Sequence, residues 1–251
     1  MIDKCAAIVL AAGKGTRLAG GSPSLKPKVL FKLAGRPMIS YTLDNLKPLG
    51  LKKIIIVIGY KGGQVREIVG DNFTFATQTK QLGTGHAVKL GLAGISLSIT
   101  NVLVLNGDDS AFYTPCTIKQ VLDKHLGKGN TITFVSLEVD NPAGLGRVIR
   151  SGNKVMSIVE EKDASNKQKK IKEVNDGLYV FRRDWLEKNI SKIKKSNAGE
   201  YYLVDLIKLA TGQKEKVEAF KLYDVGEWYG VNTPSELKAA DKLMRERISK
   251  C

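Results

Sequence analysis

Residues 6–17, AAIVLAAGKGTR, run a short apolar segment straight into a turn of small residues that carries two cations. Residues 6–10 are apolar and rich in branched side chains, so they read as a buried strand. Ala11, Ala12 and Gly13 have little or no side chain, which leaves their backbone N–H groups open to a close ligand. Gly13 and Gly15 also tolerate backbone angles closed to other residues. Lys14 and Arg17 place fixed positive charge on the same segment, a combination suited to a polyphosphate held by amides and cations. The plainer alternative is a tight strand-to-helix turn with a solvated lysine and arginine.

Two familiar glycine patterns do not apply. The GxxxxGK[ST] phosphate loop is absent. The dinucleotide pattern GxGxxG fits only in part, because Leu18 stands where the third glycine lets helix and strand pack closely.

Composition bounds the class. A chain of 251 residues with 43% hydrophobic content is long and apolar enough to fill a sizeable core. No stretch approaches the roughly 18 apolar residues of a membrane span. The start, MIDKCAAIVL, shows no basic region followed by an apolar core and cleavage site, so a cytoplasmic protein is expected. Cys5, Cys116 and Cys251 are odd in number and far apart, which fits reduced thiols better than a disulfide framework. With only His86 and His125, no Cys/His metal cluster can form. The net charge of +15 raises the question of nucleic acid. Its lysines, however, are spread along the chain or gathered at 167–172 and 188–195 without interleaved aromatics, so a nucleic-acid partner is not expected. The charge would still draw in small anions.

Along the chain, apolar strand candidates at 52–59 (KKIIIVIG), 101–105 (NVLVL) and 131–139 (TITFVSLEV) alternate with helical periodicity at 38–46, 63–69, 85–93 and 117–125. Runs this apolar fit strands buried on both faces. The alternation predicts a three-layer α/β/α, Rossmann-like fold with a mostly parallel central sheet. Ligands of such sheets lie beyond the carboxyl ends of strands, where residues 13–17 and 106–109 both fall. In the second half, 147–150 and 155–160 predict a hairpin around Ser151-Gly152-Asn153. Residues 163–170 read as an exposed Lys-rich loop, 176–181 as a strand, 200–210 as a helix and 236–248 as an amphipathic closing helix. No repeat or linker appears. The expected organisation is one domain over 1–251, with a first part at about 1–110, a second at about 111–232 and a closing helix at about 235–249.

Further motifs accumulate. NGDD at 106–109 ends an apolar strand, and a carboxylate there suits a divalent ion beside phosphate oxygens; it also suits a plain turn or cap. Pro27 restrains the chain before Lys28, although an ordinary surface lysine fits the same residues. The segment 81–86, QLGTGH, puts a second glycine turn before a helix and can offer backbone groups to the edge of a base. His86 has no acidic or nucleophilic neighbour in sequence and reads as a packing or capping residue.

In order, LAAGKGTRL (10–18), PKVL (27–30), LAGRPM (33–38), QLGTGHAV (81–88), NGD (106–108), GLGRV (144–148), IVEEKDA (158–164), NxGLYVF (175–181), EYYLVDLI (200–207) and GVNTP (230–234) resemble the sugar-1-phosphate nucleotidyltransferases. The nearest likeness is to the uridylyltransferase half of the bifunctional N-acetylglucosamine-1-phosphate uridylyltransferase/glucosamine-1-phosphate acetyltransferases. The resemblance spans nearly the whole chain. It implies a glycosyltransferase-A-like variant of the predicted fold and a Mg²⁺-dependent transfer from a nucleoside triphosphate, UTP first, to N-acetylglucosamine-1-phosphate. It further implies that Leu10, Ala11, Ala12 and Gly13 lie along the nucleotide, with Gly15 and Arg17 at the triphosphate and Lys28 holding phosphates. Gln78, Gly83 and Thr84 would read the base. Asp108 and Asn232 would hold Mg²⁺, and Gly146, Glu160 and Asn175 would line the sugar pocket. Arg17, Lys28 and Asp108 would be the catalytic group.

Several positions depart from the family pattern. Asn106 stands where an aromatic is common before Gly-Asp, and Asp109 adds a carboxylate beside Asp108. Asp176 replaces a common threonine, Val204 another, and Tyr229 an acidic residue. The last three fall on the implied sugar side. No hexapeptide repeat follows, so the acetyltransferase half, acetyl-CoA and trimerisation through that half are not expected. Two alternatives stay open: a related enzyme with dTTP, GTP or CTP and another phosphorylated alcohol, and a non-catalytic nucleotide-sugar-binding protein.

Overall fold

The computed structural model describes residues 2–21 and 24–249, so the expectation for Cys251 lies outside the described residues. Strand β1 (Cys5–Ala11) is apolar and almost wholly buried along its length, which requires a sheet covered on both faces. A two-residue pair, β2 (Lys32–Leu33) and β3 (Arg36–Pro37), leads into α1 (Met38–Leu46), β4 (Lys53–Ile58), α2 (Gly62–Val69), β5 (Thr74–Thr77), α3 (Thr84–Leu92) and β6 (Asn101–Asn106). Next come α4 (Pro115–Lys128), β7 (Ile132–Glu138), the hairpin β8 (Gly146–Ser151) and β9 (Lys154–Val159), α5 (Asn166–Lys169) and β10 (Glu173–Arg182). The chain continues through α6 (Arg183–Asn189), α7 (Asp205–Gly212), β11 (Val217–Lys221) and α8 (Pro234–Ile248).

Nine strands form one sheet in the order β11-β7-β10-β6-β1-β4-β5, with β8 paired to β10 and β9 to β8. β1 runs parallel to both β4 and β6, β4 to β5, and β7 to β11. β10 is antiparallel to β6 and β7, and it joins the second half of the chain to the first. The sheet is thus mostly parallel with helices on both sides. Alternate β1 residues serve opposite cores: Ile8 packs with α3, α6 and α7, while Ala7 and Val9 pack with α1, α2 and α4. A third cluster seats α8 on α1 and β2 through Leu33, Met38, Ala240 and Met244.

Local chemistry sets the helix ends. Thr114 caps α4 by accepting from the Thr117 N–H, Pro115 opens it, and left-handed Gly129 closes it. A capping box of Thr233 and Glu236 starts α8.

Two expectations change. Residues 163–170 are not all loop, because Ser165 and Gln168 form a capping box that nucleates α5. The helix expected over 200–210 begins only at Asp205, since residues 201–203 are held by the loop before α3. Tyr201 N–H donates to Leu82 O and Gly85 N–H to Tyr201 O, each at 2.8 Å, and Leu203 N–H to Thr84 Oγ1 at 3.0 Å. Strands β5 and β11 and helix α6 add elements the sequence pattern did not mark.

Candidate active site

The glycine turn after β1 folds back on the segment that carries Lys28. Gly15 has φ +68°, and a Cβ there would come within 3.2 Å of the Lys28 Cα. Lys28 N–H donates to Gly13 O at 3.2 Å. No regular helix follows the turn; residues 16–21 continue as turns, with Ala19 N–H bonded to Gly15 O at 3.1 Å.

The register of the sheet brings the second motif to the same place. Leu10 of β1 pairs with Asn106 of β6, and Gly107 N–H donates to Leu10 O at 2.9 Å. Gly107 lacks the Cβ that would sit 3.1 Å from that oxygen. Asp108 therefore emerges beside the glycine turn, buried at 6% exposure. From the other end of the chain, Glu236 Oε2 accepts from the N–H groups of Asn232 and Thr233 at 2.7 and 2.8 Å. The helix cap thus fixes Asn232.

These elements meet at one ammonium. Lys28 Nζ forms an ion pair with Asp108 Oδ2 and lies 3.6 Å from Asp109 Oδ1. It also donates to Asn232 Oδ1 at 3.1 Å, and Arg17 Nη2 reaches the same oxygen at 3.0 Å. Burial works against the Lys28 charge, but Asp108 and Asp109 outweigh it and raise its pKa. Burial, with Asp108 beside it, pushes the Asp109 carboxyl up to about 6.

A cleft of about 410 Å³ is lined by Leu10, Ala12, Gly13, Gly15, Arg17, Lys28, Gln78, Gly83, Thr84, Asp108 and Asn232. Ala11 is not in its wall; it is 1% exposed and packs inside the sheet. At the far end, buried Gln78 donates from Nε2 to Gly83 O at 3.1 Å and lies 3.0 Å from His86 Nδ1. His86 thus fixes the Gln78 amide. Gly83 has φ +96°, and a Cβ would meet Tyr201 O at 2.7 Å, so the turn is closed to other residues. Gln81, which the sequence reading named only within a motif, ties this turn to the glycine loop by donating to Ala12 O at 2.7 Å.

Gly146, Glu160 and Asn175 line a second cavity of about 150 Å³, which shares Asp109 and Asn232 with the first. A Cβ on Gly146 would lie 3.6 Å from Glu160 Oε1. Asn175 Nδ2 donates to the buried Tyr179 hydroxyl at 2.6 Å, and Tyr179 has no local sequence signal as a site residue. Burial, with Asp205 nearby, raises the Glu160 pKa. Burial also holds the Asp176 carboxyl well above its ordinary range.

Two anionic groups brought side by side would find cations and oxygen ligands at the junction of these cavities. Among the described residues, no set of three or more His, Cys, Asp or Glu side chains could enclose a metal. Asp108 and Asn232 instead offer two oxygens within reach of one cation, which suits an ion that takes its other ligands from phosphate and water. No described helix is long and apolar enough to cross a membrane.

The nucleotidyl transferase family profile matches residues 6–246. This chain belongs to that family. It is 40% identical over 246 residues to the bifunctional protein GlmU of Streptococcus agalactiae serotype V, covering 97% of this chain and 52% of that protein. It is 39% identical over 245 residues to the bifunctional protein GlmU of Thermoanaerobacter pseudethanolicus, covering 96% and 52%. The chain thus spans about half the length of the curated relatives it matches. A UDP-glucose pyrophosphorylase complexed with UDP-glucose shares the fold with TM-score 0.80 and 18% identity, covering 98% of this chain and 100% of the other. An inositol-1-phosphate CTP transferase from T. maritima does so with TM-score 0.71 and 19% identity over 96% and 95%.

Proposed function

We propose that the chain transfers a nucleotidyl group from a nucleoside triphosphate, UTP first, to a sugar-1-phosphate, with N-acetylglucosamine-1-phosphate as the reference acceptor. The observation that carries this reading is the convergence of Lys28, Arg17, Asp108 and Asn232 at the mouth of the glycine turn. The likeness to GlmU supports uridine and N-acetylglucosamine.

In this reaction an acceptor phosphate oxygen attacks the α-phosphorus. A new P–O bond forms as the bond to the β-phosphate breaks, and pyrophosphate leaves. The attacking oxygen is already anionic near neutral pH, so no strong general base is needed. The protein must hold two anions in line against their repulsion. Arg17 and Lys28 supply positive charge, and the backbone of Ala12, Gly13 and Gly15 follows the phosphates. Gln78, Gly83 and Thr84 face the base; Gly146, Glu160 and Asn175 face the sugar. Asp108 and Asn232 would hold Mg²⁺, which when bound supplies charge neutralisation between the two substrates. The reading treats the chain as one unit divided at about residue 110 into donor and acceptor sides, working in the cytoplasm with small-molecule substrates and no nucleic acid.

The test is pyrophosphate release by purified protein with Mg²⁺, four nucleoside triphosphates and a set of sugar-1-phosphates. Turnover with UTP and N-acetylglucosamine-1-phosphate is expected; silence across the set, with nucleotide-sugar still bound, would favour a binding protein.

A further inference from the structure

The acceptor-side cavity is rich in carboxyl groups. Its wall holds three carboxyl groups, Asp109, Glu160 and Asp176, and no lysine, arginine or histidine. Asp176 is 5% exposed. Its Oδ1 accepts from the Leu178 N–H at 2.8 Å, whereas its Oδ2 is buried without a hydrogen-bond partner. Asn175 Oδ1 is a second buried acceptor without a hydrogen-bond partner on the same wall, whereas Asp109 Oδ1 has the Lys28 ammonium 3.6 Å away.

The backbone explains why Asp176 joins Asn175 there. Successive residues of a regular strand point to opposite faces. In β10 the pairing to β7 shifts between Asn175 and Tyr179, and Gly177 sits at φ +100°. A Cβ on Gly177 would meet Asn106 Nδ2, so glycine permits the irregular stretch that lets both neighbouring residues line the cavity.

A buried acceptor left unmatched costs about 1–3 kcal/mol, so the wall is complementary to a group with several donors. An ammonium has three and no acceptor. An acetamide has one N–H and adds a carbonyl oxygen that needs a donor in return. On the reading that this cavity takes the acceptor, we propose that Asp176 is a specificity-determining residue that extends the acceptor range to phosphate esters bearing a free amine. The ammonium lies against Asp176 Oδ2, with Asp109 and Glu160 adding negative charge around it.

The test compares glucosamine-1-phosphate with N-acetylglucosamine-1-phosphate as acceptors for UTP and Mg²⁺, in the unaltered protein and in Asp176→Asn. Asparagine keeps the shape and the acceptor for Leu178 but cannot ionise when an ammonium is placed beside it. The unaltered protein is expected to use the amine with kcat/KM at least equal to that of the acetamide. In Asp176→Asn the amine-to-acetamide ratio should fall at least ~10-fold, the scale of one unmatched charge-assisted contact. Failure to use the amine while the acetamide turns over overturns this inference and leaves nucleotidyl transfer standing; so does an unchanged ratio in the variant. If neither ester is turned over, calorimetric titration with each ester decides the point. Amine binding no tighter than acetamide binding, or equal in the folded variant, then overturns the inference as well.

Discussion

Lys28 Nζ forms an ion pair with Asp108 Oδ2 and at the same time donates to Asn232 Oδ1 at 3.1 Å. One lysine therefore engages both oxygens assigned to a divalent cation in the proposed function. Metal and ammonium compete for those oxygens, while the phosphates of a nucleotide would draw the lysine away.

Lys28→Met should therefore act in opposite directions on two measurements. Pyrophosphate release is expected to fall at least ~10-fold, about 1.4 kcal/mol in barrier. Binding of Mn²⁺ alone, followed by calorimetry, should tighten by about 5-fold, the scale of a pair worth near 1 kcal/mol. Asp108→Asn should lower both. Weaker Mn²⁺ binding in folded Lys28→Met would remove the competition argument.

Gly83 and Gly63 give contrasting alanine substitutions. At Gly83, φ is +96° and the new Cβ would meet Tyr201 O at 2.7 Å. Strain and a backbone clash together should destabilise Gly83→Ala by at least ~2 kcal/mol. Gly63 lies in α2 with nothing within 4 Å of an added Cβ, so Gly63→Ala should stabilise by about 0.5–1 kcal/mol. Urea unfolding of the two variants checks both signs.

What could be read from the sequence follows burial. β1, β4 and β6 are central parallel strands, and burial of most of their residues leaves an apolar run in each. β5 and β11 are sheet edges with mixed exposure, so TFAT and VEAFK carry neither an apolar run nor clean alternation. α6 is seven residues of which four are charged, and α5 is a single capped turn inside a lysine-rich segment. At the site, the glycine turn and NGDD are each local patterns, but their meeting depends on the parallel β1–β6 register. Asn232 is set by Glu236 from the following helix, and the inward turn of Asp176 depends on an irregularity in β10. The first and third are not encoded in residue spacing, whereas the second is, as the capping box at 233–236.

Arg147 and Glu161 should respond unequally to loss of their partner. The Arg147 side chain is 1% exposed and Glu161 30%, and they bond at 2.5 Å. Arg147 also donates to Leu145 O. Glu161→Ala leaves a buried guanidinium charge without its carboxylate, whereas Arg147→Met leaves a carboxylate that water can reach. The first should cost at least ~1 kcal/mol more than the second, since an uncompensated buried charge is the larger penalty. Thermal and urea unfolding of both variants measure the difference; equal losses would count against it.

His125 gives the fold a pH dependence that a matched variant can isolate. It is 1% exposed on α4. Its Nε2 lies 3.1 Å from Asn101 Oδ1 and its Nδ1 3.0 Å from Thr133 Oγ1. The Asn101 oxygen only accepts, so Nε2 carries the proton and Nδ1 accepts from the threonine; Asn130 Nδ2 in turn donates to the Thr133 oxygen at 2.9 Å. Burial, helped by the positive Arg182, lowers the His125 pKa from 6.5 to about 4. Above pH 6.5 the ring is neutral in both folded and unfolded chains and favours neither. Between pH 6.5 and 4 the unfolded chain binds the extra proton, so stability is lost as pH falls, by up to about 1.4 kcal/mol per pH unit. Asp109, raised to about 6, has the opposite sign in the same window, because its folded form takes up a proton first. The raw stability curve therefore mixes His125 with Asp109 and with the raised Glu160 and Asp176 carboxyls. Glutamine at position 125 can keep both hydrogen bonds without titrating, so the stability difference between the unaltered protein and His125→Gln should shrink or reverse by up to about 3 kcal/mol from pH 6.5 to pH 4. A difference that stays constant across that range would show that the imidazole binds its proton equally well in both states.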